Sequence, residues 1–226
     1  MSFIDITARQ VLLNRGEKTA PVIYLIDSPE HPFGSEQFSG YFCSIVTVPV
    51  RQWNDSLTPW PAKRIYREEQ DFTGQAMSTL RELTGETIPA IETAEGIIPA
   101  RRAICGYSLA GLFSLYALTH CDEFAACACV SGSLWYEGWV EHLRTLDLNL
   151  RGRFAYLSIG TKEKRGGTPL MRTVQDNMED CADILRGRGC SVRYVTGPGN
   201  HLQFVSERLA SGLSALDGFL SEGMQR

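Results

Sequence analysis

Short apolar segments alternate along this chain with longer stretches in which apolar residues recur at helical spacing. The strand candidates are residues 22–27, 42–48, 102–105, 125–131, 154–159 and 191–195, and a seventh near 4–11 is expected to pair antiparallel at the sheet edge. The helix candidates are residues 72–83, with or without an extension past Pro89, and residues 109–119, 170–186 and 202–220. This alternation predicts an α/β fold, a three-layer sandwich in which helices cover both faces of a mostly parallel central sheet.

Composition limits the kind of protein this chain can be. It has 226 residues, of which 43% are hydrophobic, so we expect residues 1–226 to form a single domain around one core. The formal charge of −4 comes from dispersed acidic and basic residues, without the basic clusters that bind a phosphate backbone. The N-terminus does not resemble a secretory peptide, and no apolar run approaches the about 20 residues that cross a bilayer. The sequence therefore predicts a soluble cytoplasmic protein that binds neither nucleic acid nor membrane, and it leaves the oligomeric state open.

The seven cysteines form an odd set without CxxC pairs. Cys105, Cys127 and Cys129 fall inside predicted core segments, which favours reduced, buried thiols. Their spacing matches no set of metal ligands. We therefore expect neither a metal site nor redox chemistry.

A predicted strand runs through a turn of small residues into a predicted helix at residues 102–113. Ser108 lies in that turn, with Gly106 two positions before it and Ala110 two positions after it. Strand and helix crowd together at a nucleophile elbow, so both of these positions must be small. The pattern predicts Ser108 as a nucleophile, in preference to a serine that only caps the helix.

A serine hydroxyl needs a neighbouring base to take its proton, so a histidine must follow later in the chain. The sequence has four histidines. His31 precedes the elbow, His120 ends the next predicted helix, and His142 belongs to a polar stretch. His201 lies in a glycine-rich loop between the last strand and the last helix, where a side chain can reach over the carboxyl end of the sheet. We therefore predict His201 as the general base.

The chain order of serine, acid and histidine requires an acidic residue between Ser108 and His201. Glu163 follows the strand candidate 154–159 in a loop at the carboxyl end of that strand. Its carboxylate would accept a hydrogen bond from the imidazole and stabilise the imidazolium. Two alternatives stay open, a solvated charge cluster around Glu163 and a Ser-His dyad without an acid.

An oxyanion hole needs two fixed N–H donors, one from the residue after the serine and one from the loop after an earlier strand. Leu109 is the candidate for the first donor. Ser28 is the candidate for the second, because Pro29 and Pro32 in the same loop have no N–H, and Glu30 of the same turn stays open as an alternative.

Three aromatic residues are candidates for the substrate pocket. Trp135 follows the strand candidate 125–131, Trp60 lies in the long connection 50–70, and Tyr107 precedes the nucleophile. So long a connection is unusual unless it serves a site, and its residues 53–62 are expected to form a wall or lid over Ser108. For either tryptophan, ordinary packing at the sheet edge is the alternative.

Taken in order, these residues make the chain resemble the esterase family that includes esterase D, enterochelin esterases and related siderophore-ester hydrolases. Besides the elbow, the segments that carry the resemblance are residues 24–27, 53–62, 72–74, 88–92, 131–136, 160–163 and 199–201. The resemblance implies an α/β-hydrolase fold and ester hydrolysis without a metal or organic cofactor. It implies the same roles for Ser108 and His201, and a small-molecule ester, such as a siderophore ester, as the substrate.

Two other functions compete with this interpretation. An acyltransferase would use the same triad and release the acyl group to an alcohol or amine instead of water. A noncatalytic binding module of the same fold is disfavoured, because both the nucleophile and the base are present in their expected places.

Overall fold

The computed structural model describes residues 4, 11–12, 19–30, 40–67 and 70–222. Within these segments, seven strands form one sheet in the order β1-β3-β2-β4-β5-β6-β7. They are β1 (Val11–Leu12), β2 (Val22–Asp27), β3 (Ser44–Pro49), β4 (Arg102–Tyr107), β5 (Ala126–Val130), β6 (Phe154–Gly160) and β7 (Ser191–Gly197). Strands β2 to β7 are parallel, and β1 pairs antiparallel with β3 at the edge. The predicted α/β fold with a mostly parallel sheet is confirmed.

The α-helices occupy the connections between the strands. They are α1 (Trp53–Ser56), α2 (Ala76–Glu82), α3 (Ile88–Glu95), α4 (Leu109–His120), α5 (Trp139–Thr145), α6 (Val174–Gly187) and α7 (Val205–Ser221). A π-helical segment, Leu83–Thr87, joins α2 to α3, and short 3₁₀ turns lie at Glu163–Arg165 and Met171–Thr173. No helix in the described part of the chain is long and apolar enough to span a membrane.

Strands β2 to β6 are almost wholly buried, and successive side chains of each strand point to opposite faces of the sheet. Along β2, Ile23 and Leu25 pack on the face covered by α7, together with Leu213 of that helix. Tyr24 and Ile26 belong to the opposite core, which α2 to α6 cover. The layers are therefore helix, sheet and helices, as the sequence predicts.

The ends of several helices differ from the predicted ones for local backbone reasons. The last helix begins at Val205, three residues after the predicted start, because Phe204 takes a left-handed conformation with φ 56°. The first predicted helix begins at Ala76, after Gly74 with φ +75°, and it does continue past Pro89. Helices α1 and α5 were not predicted, since four and seven residues are too few to show a clear period.

The predicted edge strand near 4–11 falls mostly on residues 5–10, which lie outside the described residues. Ile4 forms an antiparallel bridge with Val50, and Val11 pairs with Val46. Both described ends of this segment therefore pair antiparallel at the predicted edge of the sheet.

Candidate active site

The carboxyl ends of the six parallel strands meet at one edge of the sheet, and four loops begin there. The turn between β4 and α4 carries Ser108, and the loop after β5 carries Ser133. Glu163 follows β6 and His201 follows β7. Residues far apart in sequence therefore face one another, as expected for the functional edge of an open parallel sheet.

Ser108 occupies a strained turn between a strand and a helix. Its backbone has φ 60° and ψ −122°, a region that residues other than glycine seldom adopt. A Cβ atom on Gly106 would lie 2.3 Å from the Ala110 carbonyl oxygen and 2.6 Å from the Ala110 Cβ. The small residues are therefore a steric requirement, and the turn presents the Ser108 side chain to a cavity.

The side chains of Ser108, His201 and Glu163 form one hydrogen-bonded chain. His201 Nε2 lies 3.0 Å from Ser108 Oγ, and His201 Nδ1 lies 2.8 Å from Glu163 Oε2. An ionised carboxylate can only accept, so Nδ1 carries the proton and Nε2 is left to accept the Ser108 hydroxyl proton. The geometry is that of a nucleophile, a base and an acid that orients the base.

Glu163 is buried, with a side-chain exposure of 4%. Burial acts to raise the pKa of its carboxyl, but hydrogen bonds from His201 and from the Gly160 N–H outweigh it, and the net pKa lies below the ordinary value. Arg208 donates at 2.5 Å to Glu163 Oε1, the oxygen that also accepts from the Gly160 N–H. The acid is therefore ionised at neutral pH.

Two polar residues at the site were not predicted from the sequence. Ser133 Oγ lies 3.3 Å from Ser108 Oγ, and the Ser133 N–H donates to the Ser108 carbonyl oxygen. Arg208, which donates to Glu163, lies on the buried side of α7. Arg208 lies three residues after Val205 and eight before Leu216, which are spacings of an apolar stripe, and a charge on such a stripe is the signal that could have found it.

A cavity of about 430 Å³ opens in front of Ser108 and His201. Much of its wall is aromatic and apolar, formed by Trp53, Ile65, Tyr66, Phe72, Trp135 and Met171. Trp53 comes from the segment 53–62 that was expected to form a wall, and Ile65 and Tyr66 come from the part of the connection that follows it. Trp135 lines the cavity and packs against Phe72, with 6.5 Å between the ring centroids.

The other two aromatic candidates do not lie among the described residues that line the cavity, which corrects the prediction for them. Trp60 packs against Tyr136, Trp139 and His142, and its indole N–H donates to the Glu137 carbonyl oxygen at 3.0 Å. These contacts pack the ring against α5 and the residues just before it. Tyr107 lies beneath the His201 loop, where its hydroxyl donates to the His201 carbonyl oxygen at 2.7 Å.

The two candidates for oxyanion donors differ in their surroundings. Leu109 lines the cavity and is the first residue of α4, where backbone N–H groups have no acceptor within the helix. The Ser28 N–H donates to Asp27 Oδ1 at 2.8 Å, and Ser28 is not among the described lining residues. The short Asp27 side chain therefore takes this N–H, which corrects the prediction for Ser28. Residues 31–39 of the same loop lie outside the described residues.

Comparison with known proteins identifies the family. Residues 10–184 match the model of the family described as "Putative esterase". A relative from Bacillus subtilis (strain 168), named "Uncharacterized protein YbbA", is 30% identical over 172 residues, which cover 73% of this chain and 69% of the relative.

Solved structures share the fold at lower identity. An IroE-like serine hydrolase from Shewanella oneidensis superposes with a TM-score of 0.73 at 20% identity, covering 93% of this chain and 75% of that one. The siderophore hydrolase EstB from Aspergillus nidulans gives a TM-score of 0.68 at 18% identity, covering 95% of this chain and 91% of that one. These structures share the α/β-hydrolase-like fold. The chain therefore belongs to the esterase family that its residues 10–184 match, and it is an enzyme that hydrolyses esters.

Proposed function

We propose that the enzyme is a serine esterase that hydrolyses a small-molecule carboxylic ester through a Ser108-His201-Glu163 triad and an acyl-enzyme. The observation that carries this proposal is the unbroken chain of hydrogen bonds from Glu163 through His201 to Ser108 Oγ at the cavity wall. No further residue is needed to move the proton of the nucleophile.

Acylation begins when Ser108 Oγ attacks the ester carbonyl carbon and His201 Nε2 takes the hydroxyl proton. The carbonyl electron pair moves to oxygen, and the Leu109 N–H donates to this oxyanion. The intermediate then expels the alcohol, which receives the proton from His201. Glu163 stabilises the imidazolium between these two proton transfers.

Deacylation repeats the sequence with water. His201 removes a proton from the water as its oxygen attacks the acyl carbon, and the second tetrahedral intermediate expels Ser108 Oγ. The serine oxygen recovers its proton from His201, and the carboxylic acid leaves. The protein side of the reaction is restored without any co-reactant other than water.

The substrate is proposed to be a small ester with an apolar or aromatic part. The aromatic residues Trp53, Phe72 and Trp135 offer a face for such a group next to Ser108. One structural neighbour supports the same class, since EstB is a siderophore hydrolase. A siderophore ester is therefore the first natural substrate to test.

The experiment is rapid mixing with p-nitrophenyl acetate. An acyl-enzyme mechanism predicts a burst of p-nitrophenol of about one equivalent per active site, followed by slower turnover. Mass spectrometry of the quenched enzyme should show one added acetyl group per chain, and peptide mapping after digestion should locate it on Ser108. Turnover without any acylated protein under these conditions would contradict the proposal.

Replacing Glu163 with glutamine is expected to lower kcat about a hundredfold, less than loss of the nucleophile or the base. The amide keeps the shape but donates as well as accepts, so the Nδ1–H of His201 is no longer fixed toward it. Kinetics on p-nitrophenyl acetate measure the effect, with the exposed Glu207→Gln as the matched control. Full activity in Glu163→Gln would instead support a Ser108-His201 dyad.

Three predictions from the sequence extend this proposal. We propose that residues 1–226 act as one domain, that the enzyme works in the cytoplasm, and that it needs no metal or organic cofactor. The seven thiols are free in the structure, which agrees with a reducing compartment.

A further inference from the structure

A buried arginine lies behind the proposed acid of the triad. Arg208 is in the first turn of α7 and is 6% exposed. Arginine is almost never fully buried without partners, because removing its charge from water is costly. The Arg208 Nε–H has no acceptor among the described residues, which adds to that cost. A charge kept at such a position calls for an explanation beyond stability.

The guanidinium joins three loops of the site through its four terminal N–H bonds. Nη1 donates to Glu163 Oε1 at 2.5 Å and to Ser131 Oγ. Nη2 donates to the carbonyl oxygens of Asn200, at 2.5 Å, and of Gln203. These acceptors follow β5, β6 and β7, so a single side chain fixes the acid relative to the loop that carries His201.

The charge of Arg208 also stabilises the Glu163 carboxylate in the resting enzyme. His201 is neutral before acylation if it is to act as a base, so it offers Glu163 a hydrogen bond but no cation. Arg208 is the cation in contact with this buried carboxylate. The pair keeps Glu163 ionised, with Oε1 on Arg208 and Oε2 free for His201.

Two residues that contact Arg208 have an unusual backbone conformation. Ser131, whose Oγ accepts from Arg208, has φ 44°. Phe204, whose carbonyl oxygen accepts from the Arg208 backbone N–H, has φ 56°. Such conformations persist only where surrounding contacts hold them. A Cβ atom on Gly160 would lie 2.5 Å from the Gly199 carbonyl oxygen and 3.2 Å from Arg208 Nη1, so that position must be glycine.

We propose that Arg208 is a positioning residue for ester hydrolysis, which holds Glu163 and the His201 loop so that the imidazole is directed at Ser108. It acts through Glu163 and His201 and does not touch the substrate. This inference rests on the proposed triad, and it adds a fourth residue on which the rate depends.

Several groups face this pair and bear on its pH dependence. The Tyr107 ring lies 5.8 Å from the centre of the guanidinium, and burial raises the pKa of this tyrosine, so it stays neutral at ordinary pH. His201 contacts Glu163 from the loop after β7, and the exposed Lys162 is its chain neighbour. Arg208 is therefore the permanent cation in direct contact with the Glu163 carboxylate.

The test compares Arg208→Met and Arg208→Lys with the parent enzyme, with kcat expressed per active site titrated by a fluorophosphonate. We expect Arg208→Met to lower kcat about a hundredfold and Arg208→Lys about tenfold, with KM within about twofold of the parent, because misplaced catalytic groups slow the chemistry. Lysine keeps the charge but cannot contact all four acceptors. If Arg208→Met does not fold, the kcat of Arg208→Lys alone tests the inference.

The pH profile separates positioning from mere stability. In Arg208→Met, the Glu163 carboxyl loses its cation and protonates more readily, so kcat should rise with pH over a range where the parent is flat. In Arg208→Lys, kcat should stay independent of pH over the same range as in the parent. The double variant Glu163→Gln/Arg208→Met has no carboxyl at position 163 to protonate, so its kcat should not show the rise with pH expected of Arg208→Met alone.

Arg102→Met is the matched control, since Arg102 pairs with Glu92 through two hydrogen bonds at the amino end of β4. We expect this variant to lower Tm and to leave kcat per active site unchanged. If both Arg208 variants have the same kcat per active site as the parent, Arg208 is not a positioning residue, and the proposed triad is unaffected by that result. A parent enzyme that no fluorophosphonate labels at Ser108 would instead show that the proposed function is wrong.

Discussion

Replacing Ser108 with alanine is expected to lower kcat for a small ester at least about a thousandfold. The reason is chemical, because alanine has no oxygen with which to form the acyl-enzyme. The binding surface should persist, since Leu109 and the aromatic wall are untouched, so KM should change little. Kinetics on p-nitrophenyl acetate measure both values.

The matched control for this variant is Ser191→Ala. Ser191 is an exposed serine that begins β7, at the edge of the sheet opposite the site. It should keep the parent's kcat and KM, which excludes a general effect of removing a serine hydroxyl. Equal activity in Ser108→Ala and the parent would move the nucleophile to another residue.

Replacing His201 with alanine is expected to have an effect of similar size, also at least about a thousandfold in kcat. The Ser108 hydroxyl would remain, but no group within reach would take its proton. The residual rate should rise with pH, because hydroxide then replaces the missing base. Measuring kcat from neutral to alkaline pH tests both expectations.

His142→Ala is the control for the histidine variant. His142 lies on α5 and packs against Trp60 and His120, and it is not among the described residues that line the cavity. It should keep the parent's activity. A His201→Ala enzyme with the parent's rate at neutral pH would rule out His201 as the base.

Much of the fold could be predicted because parallel strands leave a clear pattern. Segments such as 22–27 and 154–159 are short, continuous and apolar, since both of their faces are buried. The start of α7 was predicted three residues early, because the left-handed conformation of Phe204 leaves no trace in the hydrophobic period. Backbone conformation at single residues is decided by tertiary contacts that periodicity does not report.

The candidate triad could be predicted because each residue lies in the turn or loop that follows a strand, and parallel strands bring their carboxyl ends together. Ser28 was wrongly chosen as a donor because the capture of its N–H by Asp27 is a matter of side-chain geometry. Trp60 was expected in the pocket because it is large and lies among turn-forming residues of the long connection, whereas its ring packs against α5. Arg208 was missed because an arginine within a helix is usually exposed, and its burial depends on acceptors from three loops.

If Ser108 is an activated nucleophile, a fluorophosphonate should label it, and mass spectrometry can locate the adduct. We expect one adduct per chain, on the peptide that contains Ser108, with loss of esterase turnover in proportion to labelling. Ser108→Ala should take up no label. Ser108 is not the nucleophile if the folded parent enzyme hydrolyses p-nitrophenyl acetate while Ser108 stays unlabelled, or if the label is found on another residue.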